Sequence, residues 1–80
     1  MSESELYARL NDIFRDVIGD ESITLSPTTT AEDIEGWDSV THISLIVSIE
    51  TQFGVKIRAD EVESLKNVGE MVSLIQAKLR

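Results

Sequence analysis

The chain is predicted to be all-α: a small four-helix bundle of three longer helices and one short one, with a long loop between helices I and II. Apolar residues recur at helical spacing along most of the chain. Punctuating residues are few, with four glycines and one proline in eighty residues. An apolar fraction of 41% argues against disorder. The length suits a single domain spanning 1–80 with a thin core. With no cysteine, neither disulfide nor thiolate metal site can staple it, so packing must hold it.

Helix I is expected over residues 3–18. Leu6, Leu10, Ile13, Phe14, Val17 and Ile18 form one stripe, Ser2 and Glu5 fit a capping box, and Gly19 is a natural stop. Residues 20–37 hold Pro27, three consecutive threonines and several acids, with isolated apolar anchors at Ile23, Leu25, Ile34 and Trp37. So long a connection tends to be functional or to contain a turn of its own, and Thr30 with Asp33 suits one. Its spaced anchors predict a loop laid over the bundle rather than a free linker.

Helical spacing resumes at Val40, Ile43, Ile46, Val47, Ile49 and Phe53, with Asp38 as N-cap and Gly54 as terminator. Val55-Lys56-Ile57 reads as an extended link and Ala59 to Leu65 as a brief helix. Asn67 then caps a last helix with Glu70 completing the box, and Val68, Met71, Val72, Ile75 and Leu79 are expected to face inward.

Fifteen acids against seven bases give a net charge of −8. Residues 1–38 hold ten acids and two bases, and residues 39–80 hold five of each, so the excess lies wholly in the first half. Nucleic acid is an unsuitable partner, because phosphate binding needs a basic face. A basic protein surface fits better. No apolar run approaches the roughly 20 residues of a membrane span. The first residues, Met-Ser-Glu-Ser-Glu, lack the pattern of a signal peptide, so a cytoplasmic monomer is expected.

Ser39, in Gly36-Trp37-Asp38-Ser39-Val40, is the residue on which function turns. A hydroxyl in the first turn of a helix, beside a carboxylate, is placed to be modified by another protein. As a hydrolase nucleophile it would need a base, and His42, the sole histidine, lies one turn away. The rest of a triad and a G-x-S-x-G elbow are missing. The acids fail the EF-hand pattern, no metal site is expected, and no glycine-rich phosphate loop occurs. A lone tryptophan at a helix start, as Trp37 is, serves more often as a loop anchor than as a ligand platform.

At Asp38-Ser39-Val40 the chain resembles the acyl carrier protein family, whose Asp-Ser-Leu signature opens its second helix. The likeness continues through Leu45, Ile46, Ile49, Glu50, Phe53, Gly54, Val55 and Ile57. It extends to Asp60-Glu61-Val62, Leu65, Val68, Met71, Val72 and Ile75, and so covers nearly the whole chain. The resemblance implies a carrier and not an enzyme. It implies 4′-phosphopantetheine, supplied from coenzyme A, on Ser39, with acyl groups held as thioesters on the arm. Asp38 is then cap and recognition element for a phosphopantetheinyl transferase, and the helix N-terminus offers amides for the phosphate. Other partners would be acyl-transfer, ligase or synthase enzymes with basic docking surfaces. The expected docking residues are Glu32, Asp33, Glu35, Trp37, Val40, His42, Ile43 and Glu50. An acyl chain would part Val47, Ile49 and Phe53 from Val68, Val72 and Ile75, or else stay outside a closed core.

Three departures from the family pattern point to a dedicated pathway rather than primary fatty acid synthesis. Val40 stands where leucine is usual, Trp37 is bulky, and Ser39–Phe53 contains one acid, Glu50. Polyketide and other acyl-transfer routes are included in that expectation. A D-alanyl or peptidyl carrier and an unmodified acidic interaction module are the alternatives.

Overall fold

The computed structural model describes residues 2–79. Four helices follow in order: α1 (Glu3–Ile18), α2 (Ser39–Phe53), α3 (Ala59–Glu63) and α4 (Val68–Leu79). A single 3₁₀ turn, Ala31–Asp33, interrupts the long connection.

The ends of α1 follow from its sequence. Ser2 Oγ accepts the Glu5 N–H at 3.2 Å, Glu5 Oε1 accepts the Ser2 N–H at 3.3 Å, and Gly19 closes the helix in the left-handed region. The stripe Leu6, Leu10, Ile13 and Phe14 is buried against α2 and α4, whose Leu45, Ile49, Val68, Met71, Val72 and Ile75 complete the core. Each such side chain contributes about 1.5–3 kcal/mol by leaving water.

The loop is tied down at both ends of its span. Arg15 Nε donates to the Ile23 carbonyl at 2.7 Å, and the Leu25 N–H donates to Asn11 Oδ1 at 2.8 Å. Ile23 and Leu25 are buried. Farther along, α4 supplies the partners: its first two amides, of Val68 and Gly69, donate to the carbonyls of Thr29 and Pro27, each at 2.9 Å. Helix-start amides without intrahelical partners thus hold the loop. In the turn itself, Asp33 Oδ2 accepts the Thr30 N–H at 2.9 Å.

Three elements depart from expectation. The brief helix ends at Glu63 and not Leu65: Ser64 Oγ donates to the Glu61 carbonyl at 2.8 Å, and the Leu65 N–H turns to the Val62 carbonyl at 3.2 Å. Leu79 does not face inward but is 40% exposed, at the last position of α4. Val47, expected inward with Ile49 and Phe53, is 54% exposed, because the buried face of α2 is Leu45, Ile46, Ile49 and Phe53; Val40 and Ile43, at 74% and 66%, are outward as docking residues should be.

α3 buries none of its own residues. Its tie to α4 is the Lys78 Nζ–Glu61 Oε1 ion pair at 2.9 Å. The Glu61 carboxyl lies below the usual carboxylate range because it accepts the Arg58 N–H, with Lys78 adding to the effect.

Candidate prosthetic-group attachment site

The start of α2 is over-determined. Asp38 Oδ1 accepts the N–H groups of Val40 at 3.0 Å and Thr41 at 2.9 Å. Thr41 Oγ1 accepts the Asp38 N–H at 2.8 Å and donates to the Gly36 carbonyl at 2.8 Å. The capping box therefore uses a threonine where glutamate or glutamine is commoner. The Asp38 carboxyl is held below its ordinary value chiefly by the Thr41 amide.

Gly36 turns the chain into this cap with φ +92°, and a Cβ there would lie 3.0 Å from Ile18 Cγ2. The next residue, Trp37, stands edge-on to Phe14 with ring centroids 4.9 Å apart. Trp37 Nε1 donates to His42 Nδ1 at 3.0 Å, and the two rings stack at 5.9 Å. Burial lowers the His42 pKa.

Ser39 is the first residue of α2, is exposed, and its Oγ makes no hydrogen bond among the described residues. It opens onto a groove of about 550 Å³ between the start of α2 and residues 63–67. The walls include Trp37, His42, Ile43, Leu65, Lys66 and Asn67. This volume lies in the range of small-molecule sites.

Several expectations are corrected here. The α2 N-terminus offers a phosphate only the Ser39 N–H, because Asp38 already occupies the amides of Val40 and Thr41. Of the six residues expected to part around an acyl chain, five pack together in the core and only Val47 is misassigned. Ile49, Val68 and Ile75 are fully buried, Val72 and Phe53 nearly so, and Val47 faces outward; none of the six lines the groove. Glu50 is half-buried, and its carboxylate accepts the Ile57 N–H at 2.9 Å, clamping the 55–57 link.

Of the remaining docking candidates, Trp37, Val40, His42 and Ile43 lie at or beside Ser39, with Val40 and Ile43 outward. Asp33 and Glu35 line a separate depression with Asp20 and Ser22, and Glu32 is exposed on the 3₁₀ turn. Leu65, Lys66 and Asn67 were not singled out for this site from the sequence, since only the tertiary fold brings them to Ser39. Thr41 was legible in principle, three residues after an Asp N-cap.

The surroundings of Ser39 supply no catalyst. With Nδ1 accepting from Trp37, neutral His42 carries its proton on Nε2 and has no lone pair left for a general base. The hydroxyl is available as a substrate of another enzyme.

The family model described as phosphopantetheine attachment site matches residues 8–75. The chain belongs to the acyl carrier protein family. It is 32% identical over 79 residues to the acyl carrier protein of Thermotoga maritima, covering 98% of this chain and 96% of that one. It is 37% identical over 76 residues to that of an Arthrobacter species, covering 92% and 91%. The solution structure of a holo acyl carrier protein from Geobacter metallireducens superposes with a TM-score of 0.86 at 44% identity, covering 91% and 84%. The chain is thus an acyl carrier and not an enzyme, with 4′-phosphopantetheine as its prosthetic group. Its partners include a phosphopantetheinyl transferase and acyl-processing enzymes. No helix among the described residues is long and apolar enough to cross a membrane.

The residues present fit the group. It needs a free hydroxyl within reach of a transferase, and Ser39 supplies one without a competing hydrogen bond. When loaded, the group supplies a thiol that holds acyl chains as thioesters.

Proposed function

We propose that Ser39 is the attachment residue and that this carrier serves a dedicated acyl-transfer pathway rather than bulk fatty acid synthesis. The observation that carries the first part is the unencumbered Ser39 hydroxyl at the mouth of the groove. In the transfer, Ser39 Oγ bonds to the phosphopantetheinyl phosphorus of coenzyme A. The diphosphate bond breaks, adenosine 3′,5′-bisphosphate leaves, and the hydroxyl proton passes to the transferase. Asp38 sets the first turn of α2 and presents a carboxylate to that enzyme.

Support for a dedicated pathway comes from α2. Its outward face carries Val40, Ile43 and Val47, and the helix has a single acid, Glu50, engaged with the Ile57 amide. A near-neutral, apolar face suits enzymes that dock by contact rather than by a strongly basic patch, while Glu32, Asp33 and Glu35 supply charge at the rim.

Intact mass after incubation with coenzyme A and a phosphopantetheinyl transferase tests the attachment. Wild type should gain one phosphopantetheine and Ser39→Ala none. A wild type left unmodified where a known carrier is modified would sink the assignment.

A further inference from the structure

We propose that the groove beside Ser39 is a resting site for the phosphopantetheine arm, with Lys66 as the counter-ion of its phosphodiester. This rests on attachment at Ser39 and concerns where the arm goes afterwards. A phosphate on a first-turn serine would ordinarily settle on the amides of the helix N-terminus. Here Asp38 Oδ1 already holds the amides of Val40 and Thr41, at 3.0 and 2.9 Å, and sets a negative charge beside the new one. The carboxyl is held below its ordinary value by those same hydrogen bonds, so it stays ionised. The phosphodiester is therefore denied these two donors, is left the Ser39 N–H alone, and is repelled by the cap carboxylate.

The groove offers what the cap withholds. Lys66 is the one cation among its lining residues, is exposed, and takes part in no ion pair among the described residues. The opposing acids on the lining are Asp38 itself and Glu63. Beyond the phosphate, the arm carries geminal methyl groups and two amides. Ile43 and Leu65 provide apolar surface for the methyls, with Met71 at the groove floor beneath them. Asn67 uses Oδ1 to accept the Glu70 N–H at 2.9 Å, which leaves its NH₂ to donate to an amide carbonyl. A volume of about 550 Å³ accommodates such a chain without parting the core.

The test compares amide and side-chain NMR shifts of unmodified and fully modified protein, for wild type, Lys66→Gln and Lys66→Glu, with loading verified by intact mass. Wild type should show modification-dependent shifts at Leu65, Lys66, Asn67, Met71 and the Trp37 indole N–H, besides those at Asp38–Thr41. In fully loaded Lys66→Gln the distal shifts should shrink, and in Lys66→Glu they should vanish, with those next to Ser39 retained. Full loading with shifts confined to Asp38–Thr41 would overturn the resting site while leaving attachment intact. Distal shifts unchanged in both variants would overturn the role of Lys66. Absence of loading in wild type would overturn attachment itself, and with it this proposal.

Discussion

Trp37 Nε1 lies 3.0 Å from His42 Nδ1, and the contact makes the only histidine an acceptor locked to the core through Phe14. A protonated imidazole has a donor at both nitrogens and cannot accept this bond. The latch therefore holds only while His42 is neutral, which agrees with the lowering of its pKa by burial.

Stability should accordingly depend on pH through His42. Its folded pKa lies below the ordinary value of 6.5, so the unfolded chain binds more protons in the window beneath 6.5. The latch's contribution is full above that value and falls as pH drops through the folded pKa. Asp38, Glu63 and Lys66 line the same groove, and His42→Gln retains all three while offering Trp37 a non-titrating carbonyl. Thermal unfolding and Trp37 fluorescence between pH 7 and 5 should show a slope in wild type that His42→Gln lacks. Equal slopes would place the titration elsewhere.

What the sequence disclosed follows a physical division. Local chemistry was legible: Ser2 with Glu5, Asp38, Gly19 and Gly54 mark helix ends because caps act over three or four residues. Apolar periodicity located α2, but did not tell which side α1 covers. Hence Val47 was assigned inward with Ile49, although successive faces of one helix meet different neighbours. The Glu50 clamp was hidden for the same reason: the fold of the following link, not α2 itself, supplies its partner at Ile57. The groove beside Ser39 joins residues about 25 positions apart in sequence, and no short-range pattern encodes it.

Gly69 should resist replacement despite its helical position. Alanine would gain at most about 1 kcal/mol from helix propensity, and less this near the helix start. A Cβ at 69 would however sit 2.9 Å from the Pro27 carbonyl oxygen, the acceptor of the Gly69 N–H. Overpacking against backbone typically costs about 1–3 kcal/mol. Gly69→Ala is therefore expected to be destabilised on balance, with faster hydrogen exchange at the Val68 and Gly69 amides. A stabilised variant with unchanged exchange would show that the loop yields at little cost.

Glu50 predicts a difference between two substitutions. Glu50→Ala leaves the partly buried Ile57 N–H without its partner, at a cost of about 1–3 kcal/mol. Glu50→Gln keeps an acceptor oxygen and should recover most of that. Urea unfolding midpoints read the difference, and two variants both matching wild type would show that water replaces the carboxylate freely.

Partner choice is the prediction with the widest consequence. Charges at an interface rim chiefly set the association rate and its salt dependence, whereas buried apolar contact sets residence time. On α2 the apolar stripe is Val40, Ile43 and Val47, spaced three and four residues apart and exposed, with the hydroxyls of Ser44 and Thr51 beside it. Val47 lies outside the groove, so Val47→Ala separates docking from arm contacts. In its cognate complex it should weaken binding by about 1–2 kcal/mol, mostly through faster dissociation and with little change in salt dependence. Enzymes of bulk fatty acid synthesis, which seek acids on this helix, should couple poorly to the wild-type carrier. Ser44→Glu with Thr51→Glu should raise their association rate at low salt, and the gain should fade as salt is added. Both positions are exposed; Thr51 gives up only a 2.9 Å hydrogen bond to the Val47 carbonyl, so the fold should tolerate the change. Efficient elongation on the unaltered carrier by those enzymes would show that the acids missing from α2 do not govern partner choice.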